Sequence, residues 1–335
     1  MATVTNDAIF ASLSSFLPDA RFRTLGVIET PQSERRLSAA RDLDSRQAVA
    51  TADSFAALLP NQRTAFDALD AAVDGLKSAR ALLRDLVHQV ELAQVSTAST
   101  EDRQSYALAY DQSLRDFNNI INAARAGGIN LIGSVERGVF LPDDVEYVPR
   151  PSSFSTETVS GSFLGSEFFI EDGSGDQFFP GVFGRQLELL PEESPANEIE
   201  LLDDDTIVFD FDAGAITLTR DGAGSAFLSG TVTCSGVRLL NSYIYEGFQD
   251  SVLRDQAATD VRDAITRFDA ATATFEARRA TVSARLNFTE VVVAQNLDIT
   301  IKLESGVETI NLATYTSDGK LQQGDDGESL LELLV

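Results

Sequence analysis

The sequence predicts an α+β fold: an elongated antiparallel helical rod built from both chain ends, with a β-rich domain inserted between them. Three observations carry this reading. Residues from about Ala50 to Ser96 repeat apolar positions in alternating steps of three and four, and residues from Asp255 to about Glu304 do the same. Such steps describe heptad seams that bury against partner helices. The segment between them, from about Val135 to Glu246, changes character and holds more than half of the phenylalanines and most of the prolines.

The first seam runs Phe55, Leu58, Gln62, Ala65, Leu69, Ala72, Leu76, Ala79, Leu83, Leu86, Val90 and Ala93. Pro60 interrupts it, which predicts a kink or a helix start there. Ser99, or Thr100 with Glu101 nearby, opens another helix expected to reach about Ala126. Its buried face is Ala107, Tyr110, Leu114, Phe117, Ile121 and Ala124. Gly127 and Gly128 supply the positive φ that would stop it, and Ile129, Leu131 and Ile132 turn the chain back onto the rod.

In the middle, Thr206–Phe211, Ala215–Arg220 and Phe227–Leu240 read as strands. Asp212-Ala213-Gly214 and Asp221-Gly222 are candidate hairpin connections. The second seam is Val261, Ile265, Phe268, Thr272, Phe275, Arg279, Val282, Leu286, Thr289, Val293 and Asn296. Two seams flanking an insertion imply antiparallel packing. Leu58, Leu69, Leu76, Leu83, Leu86 and Val90 would meet Val261, Ile265, Phe268, Phe275, Val282 and Leu286.

Composition removes several function classes. With 26 basic and 52 acidic residues, net −26, the chain lacks the basic surface that nucleic acid requires. No apolar run approaches a membrane span. His88 is the only histidine and Cys234 the only cysteine, so neither a disulfide within the chain nor a His or Cys metal cluster can form. No motif supplies a catalytic constellation; no enzymatic activity, catalytic residue, metal site or cofactor is expected.

Glu171–Asp176, EDGSGD, is read as a solvated turn, with a hard cation such as calcium as the alternative. Asp203-Asp204-Asp205 is read as a charged loop guarding a strand edge. The glycine pair at 127–128 follows no strand and precedes no GK[ST], so it is not a phosphate loop. The N-terminus lacks the basic start and apolar core of a cleavable signal peptide.

Several blocks together resemble the bacterial flagellin family. Ser38–Ala50, SAARDLDSRQAVA, is similar to the family's Ser/Ala, basic, acidic run leading into an Ala-aliphatic-Ala helix start. Ala81–Thr100 resembles its helix that ends in a Ser/Thr-rich turn. Phe117–Ser134, FNNIINAARAGGINLIGS, resembles the segment where the second helix ends in a Gly–Asn–aliphatic turn. Arg267–Val293 is similar to the long C-terminal helix, with Ser283 where a glycine is usual.

The resemblance implies a structural subunit of an extracellular flagellar-type filament, exported without a cleaved signal peptide. Its implied partners are further copies of itself, the flagellar export machinery with a secretion chaperone, and hook-associated proteins; neither nucleic acid nor membrane insertion is implied. Residues 1–36 and 306–335 would be assembly segments, 37–134 and 251–305 the rod, and 135–250 the outward-facing domain. The termini depart from the family pattern, with Pro18 and Pro31 early and Gly319, Gly324 and Gly327 late. Those departures keep two alternatives open, a hook–filament junction protein and a flagellin-like surface adhesin or binding module.

Overall fold

A computed structural model describes residues 31–304, apart from 135–139, 152–155, 182–185, 191–197, 203–204 and 221–225. Two compact units emerge. One gathers residues 31–56 and 290–304, the other spans 57–289. Among the described residues there are four long helices: α1 (Pro31–Ala56), α2 (Leu59–Gln94), α3 (Thr100–Ala123) and α4 (Ser251–Glu304). Among the described residues no helix is long and apolar enough to cross a membrane.

In the larger unit, α2, α3 and the first part of α4 form a helical stem. Pro60 sits in the first turn of α2, where its missing N–H has no intrahelical bond to break. Every position of the first seam from Leu58 to Ala93 is buried. Ala68 and Val73 are buried beside it, which widens the stripe beyond a two-helix seam because α2 meets two neighbours. Gly75 lets one of them come close, for a Cβ there would lie 2.5 Å from the Cβ of Ala124.

The register of α2 against α4 is antiparallel and constant. Gln94 donates to Asp255 at 2.7 Å, Arg80 makes a two-point contact with Asp269 at 2.8 Å, and Arg279 meets Asp70 at 2.5 Å. The fourteen residues from Gln94 back to Arg80 match the fourteen from Asp255 to Asp269, and the next ten match likewise. The Arg80–Asp269 pair is more than 40% exposed on both sides, so the polar ladder fixes register while the apolar seam supplies the stability. Of the α4 seam, Val261, Phe268, Phe275, Val282, Leu286 and Thr289 are buried. Ile265 is only half-buried and gives way to Ala264; Thr272, Arg279, Val293 and Asn296 also stay partly exposed.

Ser99 caps α3 as expected, in a capping box with Asp102, and all six expected face residues are buried. The end of α3 differs. It stops at Ala123, and Gly127 and Gly128, at φ +58° and +89°, instead form the centre of a tight turn closed by reciprocal Ala126–Ile129 backbone bonds. Two consecutive positive φ values are the type I′ pattern. Asn130, 1% exposed, then closes the helix: its side chain donates to the carbonyls of Ile121 and Asn122 and accepts from the amides of Ile132 and Gly133. Leu131 and Ile132 are fully buried, so the returning segment does pack into the stem.

The insertion contains a two-stranded hairpin, β1 (Val145–Tyr147) with β2 (Glu157–Val159), and a seven-stranded antiparallel sheet. The sheet comprises β3 (Ser166–Asp172), β4 (Gln177–Pro180), β5 (Gln186–Leu190), β6 (Glu198–Glu200), β7 (Thr206–Asp210), β8 (Ala215–Thr219) and β9 (Ala226–Gly236), ordered β6-β5-β4-β3-β9-β8-β7. The β7–β8 hairpin turns through Asp212–Gly214, where the Asp210 carboxylate accepts from the amides of Asp212 and Ala213 and Gly214 sits at φ +66°. Asp221-Gly222 lies outside the described residues.

The expected third strand is shorter than its apolar pattern suggested. β9 ends at Gly236, because Gly236 and Arg238 adopt φ +68° and +65°; Val237, Leu239 and Leu240 are buried as coil. A 3-10 segment, Ser242–Phe248, then plugs Tyr243, Ile244, Tyr245 and Phe248 into the core before α4 starts.

Candidate functional site

Assembly through the chain ends would require apolar surface that the chain leaves uncovered. α1 provides some. Its residues 35–44 are exposed, including the first seven residues of the Ser38–Ala50 block, and Leu37 and Leu43 are 53% and 59% exposed. Among its residues 35–56 only Ala48 and Ala52 are buried, flanked at helical spacing by the half-buried Ser45 and Phe55. From Pro31, the first described residue, α1 runs through residues 36 and 37 without interruption. In the last fifteen described residues of α4, Ala294, Leu297 and Ile301 make an exposed stripe at steps of three and four. Pro18 and the glycines of the tail lie outside the described residues.

A second functional requirement is that the sheet be held rigidly on the stem. Two polar residues of α3, one heptad apart, do this. Asn118 donates to the carbonyl of Ser166 at 2.8 Å and accepts from its amide at 2.7 Å. Asp111 accepts from the amide and hydroxyl of Ser242, at 2.7 and 2.6 Å. The Ser166 hydroxyl also exchanges hydrogen bonds with the backbone of Leu239. The entry and exit of the sheet are thereby tied to each other and to α3, and charge-assisted bonds at a buried carboxylate are the stronger kind.

The small hairpin is fastened separately. Arg285 of α4 contacts Glu157 and the Tyr147 hydroxyl, and that hydroxyl donates to Glu157 at 2.8 Å. The guanidinium holds the Glu157 carboxyl below the ordinary glutamate range, while burial, reinforced by Glu157, pushes Tyr147 up to about 12. Gln62, the polar member of the α2 seam, donates to the Val148 carbonyl. Asp111, Asn118 and Arg285 were not marked by the sequence. The one visible signal was a polar residue following each of Tyr110 and Phe117 on the apolar face.

The other singled-out residues fall as follows. EDGSGD forms the β3–β4 turn, in which the Asp172 carboxylate accepts from the amides of Ser174 and Asp176. Among the described residues no group of three or more His, Cys, Asp or Glu side chains is placed to hold a metal ion. Asp203 and Asp204 lie outside the described residues. Asp205, unlike the solvated guard expected, turns inward, its side chain fully covered and paired with Arg220 at 3.1 Å. His88 is exposed on α2 and Cys234 is half-buried on β9, with burial pushing its thiol up to about 11.

The chain is thus a helical stem protein carrying an inserted antiparallel sheet. No protein-family model matches it, and no curated protein matches its sequence. Among solved structures it is similar to flagellar hook-associated protein 3 from Legionella pneumophila, at 14% identity over 78% of this chain and 96% of that one, with a TM-score of 0.37. The flagellar junction protein FlgL from the same organism gives 14% identity, 80% and 99% coverage and a TM-score of 0.38. FlgL from Xanthomonas campestris gives 12%, 78% and 98%, and 0.39. Scores this low leave the functional reading to the chain's own features.

Proposed function

We propose that this protein is a structural subunit of a flagellar-type extracellular assembly, polymerising through its terminal segments and presenting the sheet outward. The carrying observation is the antiparallel stem made from two segments far apart in sequence, with apolar residues left exposed on α1 and at the end of α4. A stem so built brings Leu59 and Thr289 to the same end of the helix pair, and uncovered apolar side chains gain stability when a neighbour buries them. Contacts of that kind that do not close a ring propagate as a helical filament. The flagellin resemblance of the stem segments agrees, and export without a cleaved signal peptide, aided by a chaperone, follows from it as part of the proposal. No enzymatic role is proposed.

A junction protein between hook and filament is the second reading, favoured by the early prolines and late glycines of the termini. Negative-stain electron microscopy of concentrated, seeded full-length protein, beside a form lacking residues 1–36, tests both. Filaments from the full chain alone support the filament subunit. Monodisperse particles that join only in the presence of filament or hook ends support the junction reading. Monomers under every condition, with export unaffected by the truncation, overturn the proposal.

A further inference from the structure

On α4, two stripes run side by side with the same steps of four, three and four. Ala257, Val261, Ala264 and Phe268 are fully or almost fully buried, and Phe268 meets the Phe117 ring of α3 at 5.7 Å. One residue earlier at each step stand Gln256, Asp260, Asp263 and Arg267, and these face the sheet. What lies opposite is apolar: Phe209, Phe211, Val232, Cys234 and Leu240. Val232 and Cys234 pair across β3 with Ile170 and Phe168, so they belong to the sheet's inward face. A sheet packed directly on a helix would bring apolar to apolar. Here an apolar wall and a polar wall confront each other across a cleft of about 480 Å³, within the size range of small-molecule sites.

The charges of the cleft are arranged in a specific way. Asp260 is occupied: it accepts from the Tyr245 hydroxyl at 2.7 Å and from Gln256 at 2.8 Å. Arg267 donates to the Val237 carbonyl; burial pushes the Asp260 carboxyl up, and the Arg267 charge offsets part of that. The side chains of Arg238 and Asp263 make no hydrogen bond or ion pair among the described residues. Arg238 also holds φ +65°, a conformation costly for a side chain with a Cβ and one that collects at functional sites. One available cation, one available anion and an apolar wall border the same volume.

We propose that this cleft binds a free α-amino acid with an apolar side chain, its carboxylate on Arg238, its ammonium on Asp263, and its side chain against Phe209, Phe211 and Leu240. A free amino acid carries both charges on one carbon, which neither end of a peptide does. The cleft, and this assignment, are independent of the assembly reading above.

Titration calorimetry of the full-length protein with L-phenylalanine tests it, using 3-phenylpropanoate and phenethylamine as analogues that each lack one charge. Cys234 is the sole cysteine and lines the cleft, so its labelling rate by a small thiol reagent at mildly alkaline pH gives a second readout. The expected result is L-phenylalanine binding with a Kd of about 1 mM or tighter, slowed Cys234 labelling, and at least about tenfold weaker binding of both analogues. Arg238→Asn, which tolerates the left-handed backbone, and Asp263→Asn should each weaken binding by a similar factor while the thermal melt stays unchanged. Neither binding nor protection by L-phenylalanine, or 3-phenylpropanoate binding as tightly as the amino acid, overturns the proposal.

Discussion

α1 and α2 are successive long helices in opposite conditions. α2 buries twelve residues, whereas α1 buries only Ala48 and Ala52 among its residues 35–56 and leaves Leu37, Leu43 and Val49 exposed. The difference is one of pattern as well as partners, since Leu37, Leu43 and Val49 stand six residues apart and share no helix face. α2 has α3 on one side and α4 on the other, and its stripe is wider than two-helix packing needs. The uncovered apolar positions of α1 begin at Leu37, just after the expected assembly segment 1–36.

The largest effect expected from breaking this contrast is in α2. Leu76→Ala removes a side chain with no exposed surface and should cost about 2–5 kcal/mol in urea unfolding. Gly75→Ala should follow, since the new Cβ meets Ala124 at 2.5 Å and overpacking of that kind costs about 1–3 kcal/mol. Asp111→Ala strips the Ser242 amide of its acceptor and should cost about 1–3 kcal/mol. Its signature is earlier loss of hydrogen-exchange protection in the sheet than in the stem.

Leu37 and Leu43 changed together to Ser should move folding stability by no more than about 0.5 kcal/mol, yet abolish polymer growth in light scattering. Stability loss comparable to that of Leu76→Ala would instead show that this helix is finished within the monomer. The smallest effect concerns pH. Arg285 depresses the Glu157 carboxyl in the folded state, so its stabilisation is fully present above the unfolded glutamate value and is lost as pH falls through the lower folded one. The difference in urea midpoint between the natural protein and Glu157→Gln should be present at neutral pH and close as pH drops below 4.5.

The legible parts of the fold were those governed by local period. The α2 seam, the α3 face with its Ser99 cap and the β7 and β8 strands could all be read directly, because side-chain direction there follows from position along one element. The α3 end could not. Gly127 and Gly128 look like a helix stop, but a buried asparagine seven residues beyond Ala123 satisfies the helix carbonyls, and that depends on where the returning chain lies. Val237–Leu240 looked like strand because apolar residues occupy buried coil as readily as buried sheet.

The candidate sites belong with the parts that could not be read. The exposed leucines of α1 and the stripe at Leu297 and Ile301 were not singled out from the sequence, because exposure depends on what packs against them. The fastening of the sheet by Asp111 and Asn118, and the cleft between Arg238 and Asp263, required residues more than twenty positions apart to meet. By itself the sequence determined which faces are apolar, where helices start and that a β-rich segment interrupts two seams, since period and capping are local. Only the tertiary structure decided which faces find partners, which polar groups are satisfied and where a volume stays unfilled, because burial is a property of pairs of surfaces.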